Sequence, residues 1–393
     1  MNELRSLVHI EKVNFIEPIE GADRIELATV LGWKCVVKKG DFKVGDMCVY
    51  VEIDSCVQTS FKPFEFLKEK ADRFGFYHIK TMKLRGVFSQ GLILPYSYFK
   101  PSRKHREGYD LTPHINKGKK EEKRLVIHYE EYSDMKSLLG MGERKRKPLP
   151  WFIRWLGPII NSYYDRKQRK QLEHSSPKFP SPYSFTAKTD EERIQNLTKL
   201  FNELKEKGTI LTGTEKLDGS SSTYAYNNGK SYVASRNIGL YFSDGINEKI
   251  HSTCEASVFW KNNLKYNLLE KVKQTSIKLG KTVVLQGESI ANNIQNNPYK
   301  LVDEHRFYAF NLIIDGVRCN YDELFKWCQE NEVLVVPCLA ITSMNKFETV
   351  ADLIKFSDGI SQIANVKREG IVWRADGISF KAVSNEYLLK KGE

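Results

Sequence analysis

Seven cysteines, an odd number with no Cys-x-x-Cys pair, leave this chain without the makings of a disulfide framework or a zinc ribbon. Long apolar runs are missing as well. The best candidate, from Trp151 to Ile160, is short and is broken by Arg154, Gly157 and Pro158, so no segment reads as a membrane span. The first residues, Met1 to Arg5, lack the basic-then-apolar pattern of a secretory signal. There is no internal repeat and no low-complexity tract. These absences argue against membrane-embedded, fibrous and disulfide-stapled secreted classes. The expected setting is the cytoplasm, a reducing compartment. Cys35, Cys48 and Cys338 sit inside apolar runs and are expected as buried thiols.

What is present is a globular composition of 41% apolar and 12% aromatic residues, over 393 residues, enough for two or three domains. The net charge is +12, from 61 Lys and Arg against 49 Asp and Glu. A basic chain commonly binds polyanions. The excess is concentrated mid-chain, in the runs 117–120, 144–147 and 166–170. The first hundred residues read as short strands separated by regular turns. They include Ile25 to Val30, Gly32 to Val37 and Met47 to Ile53, with turn signals at Gly21, Gly40 and Gly45. We read residues 1–100 as an OB-like β-barrel. Such barrels carry basic and aromatic grooves suited to nucleic acid, although the fold also serves as plain scaffolding. Residues 101–180 read as a basic linker or inserted segment. Within it, Leu125 to Tyr129 is a candidate edge strand and Trp151 to Tyr164 a candidate short helix.

From Lys188 the signals sharpen. Thr189 and Glu192 form a capping-box pattern. Leu197, Leu200, Phe201 and Leu204 make an apolar stripe at helical spacing, and Gly208 stands where a helix stops. Strands are expected at Thr209–Thr212, leading to Lys216, and at Ser222–Tyr226 before an Asn227-Asn228-Gly229 turn. Others are expected at Lys281–Glu288, His305–Ile314 and Ile378–Val383. Strict βαβ alternation is lacking, so residues 181–393 predict an α+β domain with largely antiparallel sheets flanked by helices, ATP-grasp-like in its layering.

Five short segments in this half suggest one chemistry. They are Glu215-Lys216-Leu217-Asp218-Gly219, Ser235-Arg236-Asn237, Gln286-Gly287-Glu288, Glu369-Gly370-Ile371-Val372 and Ser379-Phe380-Lys381-Ala382-Val383. A lysine nucleophile must shed its proton, and burial or nearby cations favour that. Arg236, Lys381 and a bound Mg²⁺ are the candidate cations. Transfer of a phosphate-linked group needs charge neutralisation above all. Glu369 is a natural hard-oxygen ligand, and Asp218, close to Lys216 in sequence, could hold a metal-bound water. Glu288 is suited to accept from ribose hydroxyls, and Lys381 to meet the α-phosphate. Phe310 shares a strand face with Tyr308 by period two, either as a core aromatic or as a stacking surface for a base.

In this order the segments resemble the motifs of the covalent nucleotidyltransferase superfamily, and the Glu before Lys216 resembles its RNA-ligase branch. A ligase core preceded, not followed, by an OB-like domain is similar to the ATP-dependent RNA ligases of the Deinococcus and Naegleria type, which seal a 3′-OH to a 5′-phosphate. The resemblance covers roughly residues 5–98 and 180–391 and leaves the middle segment uncovered. It implies ATP with Mg²⁺ or Mn²⁺ as cofactors and, as partner, RNA with 3′-OH and 5′-phosphate ends, most simply at a nick in a duplex. A monomer is expected, without a motif that fixes the oligomeric state. By the same resemblance Glu215 contacts the adenine amino group, Lys216 carries AMP, and Ser235-Arg236-Asn237 meets the phosphate and substrate side. Glu288 holds the ribose, Phe310 stacks on the base, Glu369 serves the metal and Lys381 the phosphates. One departure stands out. Many ligases place a second lysine two residues after the Lys381 position, and here that residue is Val383. The phosphate contacts then fall to Lys381 alone or are shared with Arg193, Arg236 or Lys390. The rival readings are a capping guanylyltransferase, a DNA ligase and a nucleic-acid-binding protein with an inactive core. The N-terminal place of the barrel and Glu215 oppose the first two, and the presence of Lys216, Glu288, Glu369 and Lys381 opposes the third.

Overall fold

The computed structural model describes residues 6–99, 105–117, 124–129, 132, 179–302, 304–375 and 377–391. The expected helix at Trp151–Tyr164 and the basic runs, apart from Lys117, lie outside them. The chain divides into two compact units between Lys178 and Phe179.

The N-terminal unit is built from short antiparallel strands. These are β1 (Val8–Pro18), β2 (Ile25–Val30), β3 (Trp33–Lys38), β4 (Met47–Val51), β5 (Ser55–Gln58), β6 (Phe76–Ile79), β7 (Met82–Leu84), β8 (Val87–Ser89), β9 (Leu92–Pro95), β10 (Tyr109–Asp110) and β11 (Val126–His128). The main sheet runs β3-β2-β1-β4-β9, with β10 also on β1. Period-two alternation sets its core, because Val8 and Ile10 face inward beside Val49 and Val51 and pack with Phe64, Leu94 and Val126. A second sheet runs β11-β5-β6, so β11 is the expected edge strand. A four-residue helical turn, α1 (Thr112–Ile115), follows β10.

The C-terminal unit mixes helices with two larger sheets. One has the order β20-β12-β21-β22 and is formed by β12 (Ile210–Lys216), β20 (Cys338–Ser343), β21 (Gly370–Ala375) and β22 (Ile378–Val383). The other has the order β16-β15-β14-β13-β17-β18-β19. It comprises β13 (Ser220–Asn227), β14 (Lys230–Ser235), β15 (Gly239–Ser243), β16 (Glu248–Ile250), β17 (Val283–Ala291), β18 (His305–Ile314) and β19 (Val317–Arg318). Helices α2 (Thr198–Glu206), α3 (Val258–Tyr266), α4 (Leu268–Leu279), α5 (Tyr321–Glu330), α6 (Val350–Phe356) and α7 (Asn385–Lys391) complete it. The pairings within these two sheets are all antiparallel, as the α+β expectation held. Asn228 and Gly229 form the two-residue connection between β13 and β14.

Two local expectations are corrected. The capping box at Thr189 and Glu192 does not form. The Thr189 hydroxyl lies 2.6 Å from that of Ser221, and the Glu192 carbonyl accepts from the Lys381 N–H at 2.8 Å. Tertiary partners thus capture the segment as a neighbour of β22, and α2 begins at Thr198 instead. Its stripe behaves as expected, with Phe201 and Leu204 buried against Ile371 and Trp373. Cys338 is exposed, at the start of the edge strand β20, while Cys35 and Cys48 are buried as expected.

The core beneath the four-stranded sheet centres on Trp373, fully buried and in edge contact with Phe347, their ring centroids 5.7 Å apart. Its ring lies so close to Gly213 that a methyl group there would come within 2.7 Å. Trp373→Ala should therefore destabilise this unit by about 3–5 kcal/mol. Urea unfolding followed by circular dichroism checks this, and a loss below about 1 kcal/mol would contradict such a packed core.

Candidate active site

Lys216 is the last residue of β12, and the register of the sheet decides what stands near it. Lys216 pairs with Gly370, Glu215 with Ile371 and Thr214 with Val372. On the other side of β21, Gly370 pairs with Val383 and Val372 with Lys381. Ile371, Trp373, Phe380 and Ala382 point into the core, so Lys216, Thr214 and Lys381 share the opposite face. Glu369 immediately precedes Gly370, and its Oε1 lies 2.8 Å from Lys216 Nζ, with the two side chains 13% and 24% exposed. Gly370 is required by the approach of β22, since a Cβ there would sit 2.3 Å from the Ala382 carbonyl oxygen.

The other sheet supplies the next acid. In the pairing of β13 with β17, Ser221 stands opposite Glu288 and Ser220 opposite Ser289. Gly219 lets the chain leave β12 and enter β13 against β17, where a Cβ would meet the Ser289 carbonyl oxygen at 2.5 Å. The glycine of Lys-x-Asp-Gly is thus a close-approach position. Between them, Asp218 is buried and held at both ends. Its N–H donates to the Tyr299 hydroxyl at 2.7 Å, and one carboxylate oxygen accepts from the Tyr387 hydroxyl on α7.

These carboxylates govern the lysine. Burial, the largest single influence, lowers the Lys216 pKa, but Glu369, Glu288 and Asp218 together outweigh it and hold the value above the ordinary lysine range. Sequence reasoning expected the reverse, from cations around Lys216. Of those, Arg236 is engaged by Asp190, with Nη2 at 2.7 Å and Nε at 3.3 Å. Glu288 is pushed up to about 8, chiefly by burial, with Lys216 opposing and Glu369 and Asp218 reinforcing the rise.

Glu215 is buried beside this cluster. Its Oε2 accepts from the Gln362 N–H at 2.8 Å, and its Oε1 has no hydrogen-bond partner. Burial raises its pKa, partly offset by Ser361, Gln362 and Arg368. Phe310 is half-buried against Leu217, Tyr308 and Ile290. It is the residue skipped where β18 shifts register between the Gln286–Asn311 and Gly287–Ala309 pairs. Such a bulge re-aims a side chain, and here it keeps Phe310 on the face of Tyr308. Arg193 is buried and bridges Lys381. Sequence reasoning missed Tyr299, Tyr387 and Gln362, which lie in no motif, and Asp190, which lies inside the Thr189–Glu192 pattern read as a helix cap.

The donor set suits a divalent cation bound by one or two carboxylates, with phosphate and water completing the shell. Glu369 Oε2 is buried with no hydrogen-bond partner, while the ammonium of Lys216 occupies the cation position at Oε1. Among the described residues no three acidic, His or Cys side chains form a complete metal cage.

Residues 210–390 match the RNA ligase family and residues 7–96 an OB-fold domain. The C-terminal unit belongs to the RNA ligase family. Solved structures of Naegleria gruberi RNA ligase match the whole chain. An apo point variant is 29% identical with a TM-score of 0.74, covering 98% of each chain. The form with pyrophosphate is 29% identical with a TM-score of 0.73, covering 98% of this chain and 99% of that one. A variant solved with ATP and Mn is 28% identical with a TM-score of 0.73, covering 99% and 98%. No curated protein matches the sequence. The protein is therefore an RNA ligase with an N-terminal OB fold and a C-terminal ligase unit, and among its described residues no helix is long and apolar enough to cross a membrane.

The ion pair sets a testable charge state. Removing the Glu369 carboxylate takes away an interaction that favours the ammonium, so Glu369→Gln should lower the Lys216 pKa. An amine-directed reagent at pH 8 should then modify Lys216 several-fold faster in Glu369→Gln than in wild type, as read by peptide mass spectrometry. An unchanged or slower rate would contradict the assignment.

Proposed function

We propose that this ligase uses ATP to join RNA 3′-OH and 5′-phosphate ends through a covalent lysyl-AMP on Lys216. The observation that carries the proposal is the meeting of Lys216 with Glu369 and Glu288 at the junction of the two sheets. The solved relatives bound to ATP, AMP and Mn support ATP as the nucleotide. In the first step Lys216 Nζ attacks the α-phosphorus. The N–P bond forms, the bond from that phosphorus to the oxygen bridging the β-phosphorus breaks, and pyrophosphate leaves with the electron pair. One proton leaves the ammonium before attack and one leaves the nitrogen after it, both to solvent. AMP then passes to the RNA 5′-phosphate, and the 3′-OH displaces it.

Each residue has a place in this scheme. Glu215, with its unpartnered Oε1, receives the adenine amino group, and Phe310 lies against the base. Glu288 accepts from ribose hydroxyls. Lys381, on the face of Lys216, meets the α-phosphate, with Arg193 beside it. Arg236, at the end of the Ser235 strand, serves the phosphate and substrate side. Glu369 and Asp218 would hold Mg²⁺ or Mn²⁺. When bound, that ion supplies positive charge to the transferring phosphoryl group. In this proposal the protein is a monomer. Seven unpaired thiols fit a reducing, cytoplasmic setting. The basic charge of +12 and the OB fold fit a clamp on the backbone of nicked duplex RNA. Residues 101–180 stand in this proposal as the connection between the binding and adenylyltransferase domains.

Incubation with ATP labelled at the α-phosphate, plus Mg²⁺, should give a labelled protein band on a denaturing gel. Lys216→Ala should reduce the label to background, and GTP should give none. Persisting label in the variant sinks the assignment of the nucleophile, and label from GTP redirects the reading to capping.

A further inference from the structure

Beyond Lys381 the same face of the four-stranded sheet carries a second basic group that no motif marks. Arg374 lies two residues past Val372 on β21 and pairs with Thr212 on one side and Ser379 on the other. By period two it faces the way of Lys216 and Lys381, one row of about 7 Å further along the strands. Its Nη1 donates to the Thr214 hydroxyl at 2.8 Å. Thr214 in turn is two residues before Lys216.

The charges around Arg374 are incompletely matched. Its Nη2 lies 3.7 Å from Glu191 Oε1, and Arg318 Nη1 lies 3.9 Å from the same oxygen. Both distances exceed a hydrogen bond. Two guanidinium groups thus share one carboxylate oxygen without closing on it, and Arg374 Nε is buried with no hydrogen-bond partner. Arg318 reaches across from β19 of the other sheet, where its Nη2 donates to the Ile378 carbonyl at 3.2 Å. Burial of Arg374 is unfavourable to its charge, and Arg318 adds to that, with Glu191 the opposing group; the guanidinium pKa is lowered to about 10. A purely structural arginine would be expected to have its donors satisfied. Two guanidinium groups held only loosely by one carboxylate oxygen match phosphate oxygens well.

We propose that Arg374, with Arg318, binds the β- and γ-phosphates of ATP and steadies the departing pyrophosphate. This takes up the phosphate work left open where Val383, buried opposite Gly370, replaces a second lysine. Both arginines act on the leaving group of the step already described and add no bond change of their own. The inference rests on the lysyl-AMP reading, and it assigns Arg374 to the first step alone, because pyrophosphate is gone before RNA reacts.

The test separates that step from the last. For wild type, Arg374→Gln, Arg374→Lys and Arg318→Gln, adenylylation is measured against ATP concentration. Reversal of the isolated protein–AMP adduct is measured against pyrophosphate. Sealing is measured on a nicked RNA whose 5′ end already carries AMP. Arg374→Gln should raise the half-saturating ATP and pyrophosphate concentrations about tenfold or more. Arg374→Lys should be intermediate, and sealing of the adenylylated nick should stay near wild type. Unchanged ATP and pyrophosphate dependence, or an equal loss in sealing, overturns the proposal. If Arg374→Gln does not fold by thermal melting, Arg318→Gln decides by the same criteria. A wild-type protein that takes no label from ATP would instead refute the lysyl-AMP reading, an outcome distinct from all of these.

Discussion

The antiparallel pairing of Lys216 with Gly370 is the constraint on which the site depends. It brings Glu369, the residue before that glycine, to 2.8 Å from the lysine nitrogen. It also sets the row in which Val383 lies and, one pair along, the row of Lys381. A slip of one residue would turn Lys216 into the core occupied by Trp373 and Ile371 and bring core side chains out. The two motif glycines protect this arrangement from opposite ends. Gly370 admits the backbone of β22 and Gly219 that of β17, so neither strand can be displaced by a side chain. The motif spacing is then a record of strand register, and the chemistry follows from it.

That register produces an electrostatic balance with a direction. A half-buried lysine among Glu369, Glu288 and Asp218 is stabilised as an ammonium, and it is a poor nucleophile in that form. Removing the lysine's charge would leave neighbouring carboxylates repelling one another; Glu288 is already driven up to about 8, chiefly by burial, with Glu369 and Asp218 adding to the rise. The cluster therefore favours any cation that replaces the ammonium. Glu369, whose Oε2 has no hydrogen-bond partner, is the residue that would hold a divalent ion, and the ion would supply positive charge against the same repulsion.

Much of this was legible in the sequence, for physical reasons that differ by residue. The strands carrying Lys216, Glu288 and Lys381, and the strand that Glu369 precedes, show apolar runs bounded by turn residues, and motif order suggested their roles by resemblance. The stripe of α2 was readable because Phe201 and Leu204 follow helical period. The start of that helix was not, since the Glu192 carbonyl is taken by Lys381, whose position depends on the whole sheet. The direction of the Lys216 pKa was misread because charge neighbours depend on register, and the sequence does not display register. Tyr299 and Tyr387 escaped notice for a related reason. Each contributes one hydroxyl to Asp218 from a segment with no periodic signal of its own.

The separations in sequence explain why such partners matter. Tyr387 reaches Asp218 across 169 residues, and the Gln362 N–H reaches Glu215 across 147. Contacts this distant cost loop-closure entropy and form only when both sheets are in place. The Gln362 contact to Glu215 and the clamp on Asp218 thus exist only in the completed fold. The last helix, α7, belongs to the site as much as the strand of Lys216 does, because it fixes the carboxylate that helps set the charge of Lys216. Reactivity is tied in this way to closure of the whole C-terminal unit, and a chain that has paired β12 with β21 but not yet seated α7 would hold its lysine near the right acids with one of them unclamped.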